Sequence, residues 1–144
     1  MRPGHNELVE VLADARRTIL IVEDDECCAT TLEIGLLLVP GVDIRIVGSA
    51  RDALDLLQSA DVSILITDLR LPKTDGFELI SRLRAGSRTK NLPIIVISAD
   101  PNSDARSRAL RLGANAYFGK PYSIVSLRHK VAQLLDSKTK TTSA

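Results

Sequence analysis

The feature that most constrains this chain is a rhythm in which short apolar runs alternate with stretches of helical periodicity, five times over. Thr18 to Val22 reads T-I-L-I-V, apolar without alternation, as a strand buried on both faces does. A second strand is expected over roughly Asp43 to Val47 and a third over Val62 to Thr67 (V-S-I-L-I-T). The I-I-V-I after Pro93 gives a fourth, and Asn115 to Phe118 a short fifth. Between them Leu32, Leu36 and Val39 recur at helical spacing from about Asp25, until Pro40-Gly41 supplies a stop. Ala53, Leu54 and Leu57 mark a second helix, and Phe77, Leu79, Ile80 and Leu83 a third. Ala105, Ala109 and Leu112 mark a fourth that Gly113 ends, and Ile124, Leu127, Val131 and Leu134 a fifth. Strands that alternate with helices demand a parallel sheet covered on both faces, with right-handed crossovers. The expected fold is a doubly wound, five-stranded α/β domain.

Both ends fall outside that rhythm. Residues 1–17 form an N-terminal extension in which Glu7 to Arg16 carries Leu8, Val11, Leu12 and Ala15 roughly on one side, the pattern of a short extra helix. Residues 138–144 read as a polar, mobile C-terminal tail. A length of 144 residues suits one domain, large enough to fold without a disulfide or metal staple. With a net charge of +1, two Phe, two Tyr and no Trp, the chain has neither the field nor the stacking platform for direct nucleic-acid binding. No apolar run is long enough for membrane insertion. Cys27 and Cys28 are adjacent and have no other cysteine to pair with, which fits a reducing, cytoplasmic setting and a packing role in the first turn of their helix.

The chemistry gathers at the strand ends, where open α/β sheets bind ligands. Glu23, Asp24 and Asp25 end the first strand, Asp68 the third and Ser98 the fourth, and Lys120 follows the fifth. Asp25 is read as a helix cap. If the first and third strands are neighbours, about 4.8 Å apart, Asp24 and Asp68 crowd each other, and such a cluster either raises a carboxyl pKa or holds a cation. Oxygen ligands without His or Cys favour a hard ion. A site with two or three carboxylates and waters left over suits Mg²⁺ better than Ca²⁺. Lys120 offers a point charge and Ser98 a hydroxyl, enough to hold the oxygens of a phosphoryl group in transfer to a carboxylate nucleophile. Asp68, at the centre of the sheet, is the best placed.

At this point the chain from Thr18 to about Ser137 resembles the receiver domain of two-component response regulators, in its stand-alone, CheY-like form. The resemblance rests on I-L-I-V-E-D-D-E, I-T-D-L-R-L-P-K-T-D-G, I-V-I-S-A-D and Y-F-G-K-P, in that order. It implies a receiver domain over residues 18–137 and a flavodoxin-like sheet with strand order 2-1-3-4-5 and five helices. It makes Asp68 the phosphoacceptor, and Glu23, Asp24, Asp68 and the backbone carbonyl of Arg70 the Mg²⁺ site. Pro72 and Gly76 become loop determinants, Ser98 the switch hydroxyl beside the small Ala99, and Tyr117 the aromatic that turns with it. Lys120 becomes the lysine that holds the phosphate, with Pro121 after it and a cis bond between them. Arg70 and Asp100, two residues beyond Asp68 and Ser98, are expected to overhang the pocket.

The function so implied is acceptance of a phosphoryl group from a histidine kinase or histidine phosphotransfer protein. The result is a switch in binding of a downstream protein partner through the surface of the fourth helix, fifth strand and fifth helix. The chain is then not an enzyme, beyond self-catalysed acceptance and autodephosphorylation. A phosphorylation-independent binding module of the same fold is one alternative, and a receiver fragment of a longer hybrid kinase or regulator another. A phosphatase with an aspartate nucleophile is disfavoured because Arg70 stands where such enzymes carry a second Asp. A flavin protein is disfavoured by the acidic first loop.

Overall fold

The computed structural model describes residues 16–100 and 102–143. In chain order the elements are β1 (Arg17–Val22), α1 (Glu26–Leu36), β2 (Val42–Val47), α2 (Ala50–Ser59), β3 (Ile64–Asp68), α3 (Gly76–Ala85), β4 (Ile94–Ser98), α4 (Ser103–Leu112), β5 (Ala116–Gly119) and α5 (Ile124–Ser143). The strands form one parallel sheet in the order β2-β1-β3-β4-β5. The chain thus has the flavodoxin-like topology expected of it, with the strand order reversing between β1 and β3.

Alternation along each strand divides the core in two. Ile19, Ile21, Ile64, Ile66, Ile95 and Ile97 face Leu32 and Leu36 of α1 and Leu127 and Val131 of α5. Leu20, Val22, Leu65, Ile94 and Val96 face α2, α3 and α4, where Ala53, Leu79, Leu83 and Ala109 meet them. Because β1, β3 and β4 lie inside the sheet, both sets of side chains are buried, and this explains the unbroken apolar runs. Truncating any one of these isoleucines or leucines to Ala costs about 2–5 kcal/mol.

Short polar residues start the helices. Asp25, Ser49, Asp75 and Asn102 each accept a backbone N–H two or three residues on, from Cys28, Asp52, Glu78 and Asp104. Gly113 closes α4 in the left-handed region, φ 119°, as the sequence predicts.

Several boundaries move; β5, for one, runs one residue later than expected, Ala116–Gly119. α1 ends at Leu36, before Pro40, with the Leu37 N–H bonded to the Glu33 carbonyl. β3 starts at Ile64, where the ladder to Ile19 begins, so Val62 and Ser63 precede it. α5 runs through residues 138–143, read from sequence as a tail, because K-T-K-T-T-S contains no Gly or Pro to stop it. The proposed helix from Glu7 lies outside the described residues except for Arg16. Among the described residues no helix is long and apolar enough to cross a membrane.

Candidate functional site

The carboxyl ends of β1, β3 and β4 and the turn after β5 converge on one edge of the sheet. Register explains why. Val22 pairs with Thr67, Asp68 with Ile97, and Ser98 with Gly119, so Glu23, Asp68, Ser98 and Lys120 leave neighbouring strands at nearly the same height.

Lys120 is the hub. Its Nζ lies 2.9 Å from Asp68 Oδ2 and 3.4 Å from Glu23 Oε1. Its backbone N–H donates to the Ser98 carbonyl at 2.8 Å, which ties the β5 turn to β4. The peptide bond to Pro121 is cis. Asp68 Oδ1 accepts the Arg70 backbone N–H at 2.9 Å, so both acceptor oxygens are oriented. The Asp68 side chain is 12% exposed and that of Glu23 only 4%, whereas Asp24 is exposed.

The electrostatics follow from this crowding. Burial pushes the Glu23 carboxyl up; the charge of Lys120 opposes the rise and that of Asp68 reinforces it. Burial disfavours the Lys120 ammonium, but its hydrogen bond to Asp68 and the charges of Asp68 and Glu23 outweigh that, so it is held above its ordinary range.

The loop after β3 is shaped by Gly76. A Cβ there would stand 2.7 Å from both the Asp68 carbonyl oxygen and the Leu69 Cα, and the Gly76 N–H donates to the Leu69 carbonyl at 2.8 Å. Only glycine lets the start of α3 approach the acceptor strand so closely. Lys73 sits in the left-handed region at φ 66° within the same loop.

Glu23, Asp68 and Lys120 are therefore brought into contact as the sequence expects. Ser98 is buried with its Oγ accepting the Asp100 N–H at 3.1 Å. Tyr117 packs on the α2–α4 side of the sheet, opposite Val96 of β4, and its buried hydroxyl has no hydrogen-bond partner among the described residues. Asp25 caps α1, its Oδ1 accepting the Cys28 N–H at 2.9 Å.

Two features escape sequence reasoning. Cys28 Sγ lies 3.9 Å from Lys120 Nζ, so the second cysteine borders the site rather than only packing. Beside it opens a cleft of about 420 Å³ lined by Cys27, Thr31, Pro121, Tyr122 and Ile124 among others. Its sequence signal is the position of the cysteines directly after the acidic run Glu23 to Glu26.

For a metal, no group of three or more His, Cys, Asp and Glu side chains among the described residues forms a ready cage. The donors that the sequence resemblance implies, the carboxylates of Asp24 and Asp68 and the carbonyl of Arg70, are all hard oxygens. Two carboxyl groups, those of Glu23 and Asp68, meet the ammonium of Lys120, and Asp24, next in the chain after Glu23, is exposed. That set fits Mg²⁺, which takes one or two carboxylates and keeps waters, better than an ion needing a full protein cage.

Comparison with known proteins agrees with this geometry. The family model described as the response regulator receiver domain matches residues 19–132. The transcriptional regulatory protein GltR of Pseudomonas aeruginosa is 35% identical over 83% of this chain, which spans about half (49%) of that regulator's length. A response regulator structure from Chloroflexus aurantiacus superposes with a TM-score of 0.78 at 34% identity, covering 84% of this chain and 98% of that one. The receiver domain of a Pseudomonas aeruginosa sensor histidine kinase, solved with a magnesium ion coordinated in its active-site cleft, gives 0.76 at 26% identity, covering 85% and 99%.

Proposed function

The chain belongs to the response regulator receiver domain family, and from that premise we propose that it accepts a phosphoryl group on Asp68 from the phosphohistidine of a histidine kinase or histidine phosphotransfer protein. The observation that carries the reading is the 2.9 Å contact between Lys120 Nζ and Asp68 Oδ2 at the carboxyl edge of the central strand. In the step a carboxylate oxygen of Asp68 bonds to phosphorus and the N–P bond breaks. The imidazole nitrogen leaves with the electron pair and takes up a proton.

Transfer of this kind asks the protein for position and charge. The Arg70 N–H and Lys120 each orient one Asp68 oxygen, and a remaining lone pair on the carboxylate attacks in line. Lys120 then faces the phosphoryl oxygens. Asp24, Asp68 and the Arg70 carbonyl would hold Mg²⁺, with Glu23 behind them; when bound, the ion supplies positive charge against the phosphoryl oxygens. The domain catalyses its own acceptance and autodephosphorylation and turns over no other substrate.

The readout begins at Ser98. Its hydroxyl, whose Oγ accepts the Asp100 N–H, donates its proton to a phosphoryl oxygen, and Tyr117, whose hydroxyl has no hydrogen-bond partner among the described residues, adjusts with it. New charge at Asp68 thus biases the α4-β5-α5 surface between two arrangements, which a downstream protein partner reads. Incubation with acetyl phosphate and Mg²⁺ tests the acceptor: the parent protein is expected to be labelled and Asp68→Asn to lose the label entirely. Equal labelling of the two proteins would overturn the assignment.

A further inference from the structure

The sheet ends on one side at β2, and β2 is built unlike the strands inside it. The side chains of β1, β3 and β4 are almost all buried, whereas Asp43, Arg45 and Ile46 of β2 are exposed, Ile46 by 40%. Register settles which main-chain groups point out of this rim. The Gly41 and Val47 carbonyls accept the N–H groups of Arg17 and Glu23, so every second residue, Asp43 and Arg45 between them, turns its main chain to β1. Val42, Ile44 and Ile46 turn theirs outward. The Val42 carbonyl is met there by Arg16 Nη2 at 3.0 Å. Among the described residues nothing bonds the outward N–H and C=O groups of Ile44 and Ile46.

An unpaired rim is a template for another strand, and charged side chains on it usually forbid the pairing. Here the charges select a partner instead. Asp43 and Arg45 are opposite in sign and stand one on each side of Ile44. Asp43 has Arg16 at 2.7 Å, and Arg45 has no ion-pair partner among the described residues. When β2 of a second copy lies antiparallel, the two-fold axis falls on one residue of the strand. On Asp43 it sets Asp43 against Asp43, and on Arg45 it sets Arg45 against Arg45; like charges directly opposite destabilise a pair. An axis on Val42 or Ile46 leaves most of the rim unpaired. On Ile44 it sets Asp43 of each copy against Arg45 of the other, at the positions without main-chain bonds, where side chains approach most closely. Ile44 then exchanges both of its outward bonds with Ile44 of the other copy, and the exposed Ile46 lies opposite Val42.

We propose that the β2 rim is a self-association edge: two copies of this chain pair antiparallel about Ile44 and join their sheets into one, with Asp43 and Arg45 matched on both sides of the axis. The association is weak and reversible, because each exposed ion pair adds little and one strand edge buries less than the roughly 1,200 Å² of a stable interface. It leaves the β5 edge, on the far side of the sheet, open to a downstream partner. The two Asp68 clusters come to lie at opposite ends of the joined sheet, so the pairing needs no phosphoryl group.

Sedimentation equilibrium on the full chain tests it, with the parent beside Arg45→Asp and Asp43→Arg. Each reversal sets like charges across the axis and is expected to weaken dimerisation at least tenfold. An equimolar mixture of the two variants restores opposite charges at both positions, and is expected to form a mixed dimer within threefold of the parent's affinity. Arg45→Asp breaks no ion pair among the described residues, so its loss reads the pairing and not the fold. Hydrogen exchange read by NMR locates the contact: on dilution of the parent the Ile44 and Ile46 amides exchange roughly tenfold faster, while those of Asp43 and Arg45, bonded to β1, do not change. A parent that stays monomeric up to about 1 mM overturns the proposal. So does a dimer that neither reversal weakens, since another surface then carries it, or a mixture that associates no more tightly than either variant alone.

Discussion

Two of the partly buried cations, Lys120 and Arg84, keep very different company. Lys120 meets carboxylates, Asp68 at 2.9 Å and Glu23 at 3.4 Å. Arg84, in the last turn of α3, meets only neutral oxygens among the described residues. It donates to the carbonyls of Gly113 at 2.8 and 3.1 Å, Thr89 at 3.1 Å and Lys90 at 3.0 Å, and to Asn115 Oδ1 at 3.1 Å. Burial pulls the Arg84 guanidinium below its ordinary value with no acid to oppose it. At Lys120 the acids win and the ammonium is held above its own. One cluster is saturated: every strong donor is spent on a carbonyl, and the result is a staple joining α3, the α4–β5 turn and the loop ahead of β4. The other is unbalanced, with the carboxyl groups of Asp68 and Glu23 against the one ammonium of Lys120, which leaves an excess of negative charge that a cation would offset.

If the difference is real, removing each cation damages a different property. Lys120→Met is expected to slow phosphoryl acceptance from acetyl phosphate by roughly 10²-fold, the scale of losing one charge-stabilising donor, while the urea midpoint moves little. Stopped-flow phosphorylation and equilibrium unfolding on the same preparation read both. A labelling rate within threefold of the parent would mean that Lys120 is only a strut.

Arg84→Met should do the reverse. Losing several hydrogen bonds to buried or half-buried carbonyls is expected to cost about 2–4 kcal/mol, seen as an earlier urea midpoint at unchanged slope. Acceptance per folded molecule should stay within twofold of the parent. A fall in rate as large as that of Lys120→Met would erase the distinction between the clusters.

The two sites also differ in how far they could be read from sequence. Asp68, Ser98 and Lys120 each sit at the end of an apolar run, so strand order alone brings them to one edge, and local motifs name them. Arg84 could not be found that way. Its partners at Gly113 and Asn115 lie 29 and 31 residues further along the chain, and nothing in S-R-L-R-A distinguishes it from Arg82, which pairs with Glu78 on the surface. Glu23 and Asp24 are adjacent acids in the sequence, yet one is buried against Lys120 and the other exposed, because consecutive residues leave a strand end in different directions. The contact of Cys28 with Lys120 spans 92 residues and depends on how α1 packs across the sheet edge. Helix ends were legible where Gly113 supplied a stop and shifted where none existed, as at Ser143.

Glycine substitutions sharpen the comparison at the smallest scale. At Gly76 the atoms a Cβ would meet at 2.7 Å are backbone, the Asp68 carbonyl oxygen and the Leu69 Cα. At Gly86, beside the Arg84 cluster, the nearest atom is the Thr89 Oγ1, also at 2.7 Å, the tip of a side chain that can turn away. Overpacking against backbone is relieved only by moving the end of β3, which carries Asp68 and its bonds to Arg70 and Lys120. Gly76→Ala is therefore expected to cost about 1–2 kcal/mol and to slow acceptance several-fold. Gly86→Ala should cost less and leave acceptance unchanged. Thermal unfolding and labelling rate, measured side by side, decide the point. If Gly76→Ala loses stability while its folded fraction is labelled at the parent rate, the loop absorbs the clash and the acceptor strand is insulated from α3. The close approach of Gly76 would then serve packing alone.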